Sequence, residues 1–151
     1  MEIRPADLDD PRIVALLVAH VTRAVAETAR GSAHALDQSG LRTPDIGVWA
    51  AWDGEEALGV GALKRLSAEH GELKSMFTSD AARRRGVGRA MLRHLIATAR
   101  AQGLERLSLE TGSWAYFHPA HALYRSEGFA DCPPFGDYLD DPNSIFLTLN
   151  L

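Results

Sequence analysis

The sequence predicts an α/β (α+β) fold: a mixed, mostly antiparallel central sheet flanked by helices, in a single domain over residues 1–151. Three observations predict it. Val48 to Thr78 carries three strand-like stretches in a row, divided by turn signals. From there strand-like and helical stretches alternate, which places helices against a sheet. The length of 151 residues, with 46% hydrophobic and 24% charged residues, suits one soluble core and hardly two.

The elements follow in order. A short strand is predicted at Glu2 to Arg4. Asp9 or Asp10 then caps a helix with Pro11 in its first position, where a missing N–H costs nothing. Ile13, Val14, Leu17, Val21 and Val25 recur on one face and are its predicted buried stripe. Thr28 to Asp45 has no clear period, because Gly31, Gly40 and Pro44 divide it. Val48 to Trp52, the dipeptide Asp53-Gly54 and Ala57 to Leu63 read as a hairpin. A second turn at His70-Gly71 leads into a strand from Glu72 to Thr78. A long amphipathic helix begins near Gly86, with Val87, Met91, Leu92, Leu95, Ile96 and Ala99 on one face and Gly103 at its end. Leu104 to Thr111 alternates as a strand, Leu107 and Leu109 facing one way, Ser108 and Glu110 the other. Pro119 opens a short helix that Gly128 stops, and Ser144 to Leu151 is the last strand.

Bulk properties exclude several classes. A formal net charge of −4 argues against general nucleic-acid binding, which needs a basic face. The single cysteine, Cys132, allows no internal disulfide framework and fits a reducing compartment. No apolar run has the length of a membrane span, and MEIRPADLDD is acidic and mixed, unlike a signal peptide. The expectation is a cytoplasmic protein that binds neither membrane nor nucleic acid. Six histidines and one cysteine show no zinc-type spacing, so no metal is expected. No G-x-S-x-G nucleophile motif is present.

Against this acidic background, residues 81–90 read AARRRGVGRA. The stretch lies between a predicted strand and a predicted helix. At a helix start the first backbone N–H groups lack partners and the macrodipole is positive. Glycines at 86 and 88 let a phosphate approach that backbone, while Arg83, Arg84, Arg85 and Arg89 add neutralising charge. The Gly-Lys-Ser/Thr ending of a nucleotide P-loop is absent, and G-x-G-x-x-G fails because residue 91 is Met. What stands is R-x-x-G-x-G, a site for one pyrophosphate.

R-x-x-G-x-G between a strand and a long helix resembles the coenzyme A pyrophosphate loop of the GNAT-type N-acetyltransferases. A second hallmark follows on the next short helix: Ala122-Leu123-Tyr124-Arg125-Ser126-Glu127-Gly128-Phe129, an A-L-Y-x-x-x-G-F stretch. The order of elements extends the resemblance over essentially the whole chain. It implies transfer of an acetyl group from acetyl-CoA, as co-substrate, to a primary amine of a small molecule, peptide or protein, by direct attack in a ternary complex. A non-catalytic CoA-binding sensor with the same fold is the alternative, and a homodimer is possible. The pyrophosphate loop then comprises Arg83, Arg84, Arg85, Gly86, Val87, Gly88 and Arg89. The backbone of Met76, Phe77 and Thr78 matches the strand that carries the pantetheine arm and supplies an oxyanion donor.

The reaction sets its own requirements. An alkyl amine with a pKa of about 10 arrives protonated, so a base must free it, and the thiolate leaves more easily if an acid protonates it. Tyr124 stands at the position of the family's tyrosine that points at the CoA sulfur, and is the expected acid. For the base the order is Glu72, then Glu110, then His118. The resemblance departs at Phe117, where relatives commonly have an asparagine that contacts CoA. The aromatic stretch around Trp114, Tyr116 and Phe117 either walls the acceptor pocket or covers the core.

Overall fold

The computed structural model describes residues 1–28, 34–36 and 38–151. Its sheet is built from β1 (Glu2–Pro5), β2 (Ile46–Asp53), β3 (Glu56–Arg65), β4 (His70–Thr78), β5 (Arg106–Gly112), β6 (Ala130–Asp131) and β7 (Ser144–Asn150). Among the described residues these make one seven-stranded sheet in the order β1-β2-β3-β4-β5-β7-β6. Every neighbouring pair is antiparallel except β4 and β5, which run parallel, so the expected mixed and mostly antiparallel sheet is what forms. A parallel pair needs a crossover. Here α2 (Val87–Ala101) provides it.

Helix α1 (Pro11–Ala26) starts as its sequence dictates. Asp10 is the cap, its carboxylate accepting the Arg12 N–H at 2.9 Å, with Pro11 in the first turn. Ile13, Leu16 and Leu17 bury against Val48, Ala50, Trp52, Val60 and Ala62 on one face of the sheet. The opposite face receives α2 through Val87, Met91, Leu92, Leu95, Ile96 and Ala99, packed on Ala51, Leu63, Leu73 and Leu107. Each fully buried side chain of this size stabilises by about 1.5–3 kcal/mol relative to exposure. Truncating Leu95, which is wholly buried, to alanine therefore costs about 2–5 kcal/mol.

Three details depart from expectation. Val25 is 62% exposed instead of buried, because the last turns of α1 present His20 and Ala24 to the sheet. His70-Gly71 is not a turn but the start of β4. The chain bends at residues 67–69, and the Glu69 carbonyl accepts the N–H groups of Glu105 and Arg106, which pulls His70 into register beside Arg106. The short strand β6 was not expected. Among the described residues no helix is long and apolar enough to cross a membrane.

Candidate active site

The sheet opens where β4 and β5 part. Their parallel ladder runs from His70–Arg106 to Leu73–Leu109 and stops, while β4 continues to Thr78 and β5 to Gly112. Beyond that point the facing edges of Lys74–Thr78 and Glu110–Gly112 carry no ladder to each other. The cause lies within β4. Ala62 pairs with Lys74 but Val60 with Phe77, so β4 has one residue too many against β3. This bulge bends the strand away from β5 and holds Ser75 at φ 55°, in the left-handed region.

Two cavities meet in the opening. The larger, about 420 Å³, lies between Met76, Phe77 and Thr78 on β4, Arg83, Arg84, Val87 and Gly88 at the start of α2, and α3 (His118–Ser126). The smaller, about 120 Å³, is lined by His20 on α1, Glu72, Lys74 and Ser75 on β4, Glu110 on β5, and Tyr138. Six residues line both: His20, Ala24, Met76, Phe117, Ala120 and Tyr124. Outward, the small cavity joins a third, about 550 Å³, walled by residues 136–142, with which it shares His34, Glu72, Lys74 and Tyr138.

The loop into α2 makes the larger cavity's polar end. Arg84 and Gly86 both have positive φ, 64° and 77°, and turn the chain into the helix. No side chain caps α2, so its first N–H groups remain available at the positive end of the dipole. A side chain added at Gly88 would project toward Leu123 at 3.4 Å and Thr78 Oγ1 at 3.8 Å, at the cavity wall. The four arginines divide. Arg83 and Arg84 line the cavity, with Arg83 also paired to Asp80 at 3.2 Å and donating to the Tyr116 hydroxyl at 3.3 Å. Arg85 pairs with Asp53 at 3.2 Å and Arg89 with Glu127 at 2.6 Å, and neither lines a cavity described above. Their charge is turned onto the protein's own carboxylates.

Tyr124 sits at the junction, 7% exposed, its ring edge-on to Phe129 at 5.8 Å. Burial pushes its phenol above the ordinary value of 10, so it holds its proton throughout the neutral range. Its hydroxyl has no hydrogen-bond partner among the described residues. Phe117, the departure from the family pattern, lays its ring across Gly112, where an added Cβ would come within 2.4 Å of it, and walls both cavities.

Glu72 is 3% exposed and heavily engaged. Its Oε2 accepts from Lys74 Nζ at 3.1 Å and from the Tyr138 hydroxyl at 2.5 Å, and Lys74 also donates to that hydroxyl at 3.0 Å. Glu110 is freer: Ser144 Oγ donates to it at 2.6 Å, and burial raises its carboxyl above the usual range, an effect the Ser144 hydrogen bond opposes. His20 is held neutral, its value lowered to about 4, first by burial and then by the Lys74 charge. His118 and Trp114 line neither of the two joined cavities. His118 stacks obliquely on His121 at 5.6 Å, while Trp114 is 42% exposed. His121 instead ties α3 to the end of β5 through Nε2 and the Gly112 carbonyl, 2.8 Å apart.

His20, Lys74 and Tyr138 were not foreseen as site residues. Two left a signal. His20 lies three residues after Leu17 and four before Ala24, on the stripe of α1 that packs inward, and Lys74 shares with Glu72 one face of a period-two strand. Tyr138 left none, being 66 residues from the carboxylate it binds. Among the described residues no cluster of three or more His, Cys, Asp or Glu could hold a metal ion.

Known proteins resemble this chain in sequence and in fold. The sequence profile of the acetyltransferase (GNAT) family matches residues 14–129. An uncharacterized N-acetyltransferase of Bacillus subtilis, YsnE, is 48% identical over 151 residues, all of both chains. A Klebsiella pneumoniae structure described among the acyl-CoA N-acyltransferases superposes with a TM-score of 0.80 at 29% identity, over 99% of this chain and 97% of the other. A GNAT family acetyltransferase from Elizabethkingia anophelis, solved with acetyl-CoA bound, shares the fold with a TM-score of 0.69 at 16% identity, over 99% and 97% of the two chains. Loop, opening and relatives agree: the chain is an acyltransferase and belongs to the GNAT family.

Proposed function

We propose that the protein is an acetyl-CoA-dependent N-acetyltransferase that moves the acetyl group directly to an amine in a ternary complex. One observation carries this reading: two cavities of different chemistry meet at Tyr124, in the gap between β4 and β5. Acetyl-CoA supplies an activated thioester acyl group. The α2 N-terminus, Gly86, Gly88, Arg83 and Arg84 hold its pyrophosphate, and Val87 packs beneath them. The unpaired edge of Met76–Thr78 binds the pantetheine amides and offers an N–H to the thioester oxygen as charge gathers there.

The acceptor amine enters from the small cavity. Glu110 takes its ammonium proton through water, the role we assign it ahead of Glu72, whose oxygen is already shared by Lys74 and Tyr138. The free amine forms the new C–N bond as the C–S bond breaks. Tyr124 delivers its proton to the departing sulfur, and the second proton shed by the new amide nitrogen restores the phenol. Burial keeps the phenol protonated throughout the neutral range, so the donor is in the state this step requires.

Thiol release from acetyl-CoA, followed against a panel of amino acids, polyamines, aminoglycosides and peptides, tests the proposal. The expected result is release that depends on one class of amine, with a melting temperature that rises as acetyl-CoA is added. Unchanged melting at saturating acetyl-CoA overturns it.

A further inference from the structure

We propose that the acceptor is an amino acid, or another small amine with a carboxylate beside the reacting nitrogen, and that Lys74 receives that carboxylate. The inference rests on the transferase reading above and adds the acceptor class to it.

The small cavity is bipolar. Glu110 stands on β5 and Lys74 on β4, on opposite sides of the gap where the strands part. For a protein that admits an amine, the ammonium is the unexpected partner. Lys74, 11% exposed, is paired with Glu72, so to an acceptor it offers a directed N–H donor across the gap from the Glu110 carboxylate. An acceptor carrying both an ammonium and a carboxylate meets a partner at each end.

Lys74 has the capacity to spare. An ammonium has three donors, and among the described residues two are used, on Glu72 Oε2 at 3.1 Å and the Tyr138 hydroxyl at 3.0 Å. Those two bonds fix the ammonium in place, and Tyr138 in turn donates to Glu72 at 2.5 Å. The cluster is therefore preorganised, and binding a carboxylate through the third donor requires no reordering of a flexible chain. A structural role alone is a weaker account, because a buried ion pair seldom stabilises more than an apolar pair of the same size. The cavity is also small, about 120 Å³, and on the side away from Tyr124 it opens past His34 and Tyr138, which suits a compact head group with its side chain pointing out.

The test compares kcat/KM for each amino acid with that for its carboxamide, using wild type, Lys74→Met and Lys74→Arg, with acetyl-CoA binding followed by calorimetry. The expected result for wild type is a preference for the acid of about tenfold to a hundredfold, the value of one charge-assisted hydrogen bond. Lys74→Met abolishes the preference and Lys74→Arg keeps it. Equal turnover of acid and carboxamide overturns the inference, as does preference for polyamines or peptide N-termini. So does an acid preference that survives in Lys74→Met. Acetyl-CoA binding with no amino acid acetylated overturns the acceptor class alone, whereas absence of acetyl-CoA binding overturns the transferase reading beneath it. The wild-type comparison stands even if Lys74→Met fails to fold.

Discussion

At the scale of single residues, the proposed mechanism assigns the two proton transfers to Tyr124 on α3 and Glu110 on β5. Tyr124 is kept protonated by burial, and its hydroxyl has no partner among the described residues, so its removal should affect turnover and little else. Tyr124→Phe is expected to lower kcat by about 10²-fold or more, the usual contribution of a general acid, with the acetyl-CoA Kd changed less than about threefold. Steady-state kinetics and calorimetry check the two halves separately. As the proposed base, Glu110 acts only when ionised, and burial raises its carboxyl above the usual carboxylate range. The limb of kcat that rises with pH therefore lies above the ordinary carboxylate range, and Glu110→Gln removes that limb along with most of the rate. The same shift has a stability sign. The folded protein binds this proton more tightly than the unfolded chain, so the stabilisation is present at low pH and lost as pH rises through the folded value. Glu110→Gln is expected to melt higher than wild type at neutral pH. If Glu72→Gln shifts the limb and Glu110→Gln does not, the base assignment is reversed.

At the scale of elements, the bulge in β4 and the tight approach of β3 make the opening. Gly59 pairs with Thr78, and a Cβ there would lie 2.8 Å from the Phe77 carbonyl oxygen, which is backbone and cannot turn aside. Gly59→Ala should push the two strands apart just where Met76–Thr78 line the larger cavity. Overpacking of this kind costs about 1–3 kcal/mol, and acetyl-CoA binding should weaken with it, which urea melts and calorimetry measure. Elements are also the scale at which the sequence was most legible. The hairpin of β2 and β3 follows from its Asp53-Gly54 turn, and the stripe of α2 and the leucines of β5 follow from periodicity, although the central strands are buried on both faces. The start of β4 was not legible, because His70 is recruited into the strand by the Glu69 carbonyl accepting from a segment 36 residues later. Nor could periodicity show that Val25 would be exposed, since that depends on where α1 leaves the sheet.

At the scale of the whole molecule, the two ends of the site differ in how far the sequence disclosed them. The loop of Arg83–Gly88 is local: charge, glycines and helix start lie within a few residues, and their order signals a phosphate. Even so, Arg85 and Arg89 turned out to pair with Asp53 and Glu127, distant carboxylates that no local reading includes. The acceptor side is assembled from α1, β4, β5 and the 136–142 segment, which meet only because the sheet order sets β4 beside β5 and β5 beside β7. Glu72 and Lys74 are local to β4, and Tyr138 joins them by topology alone. The central claim is that donor and acceptor occupy the two cavities together and react directly at Tyr124. Initial rates of thiol release, with acetyl-CoA and an acceptor amine varied against each other, test it most directly. Intersecting double-reciprocal lines are the predicted result; parallel lines, which signify an acyl-enzyme released from one substrate before the other binds, would contradict it.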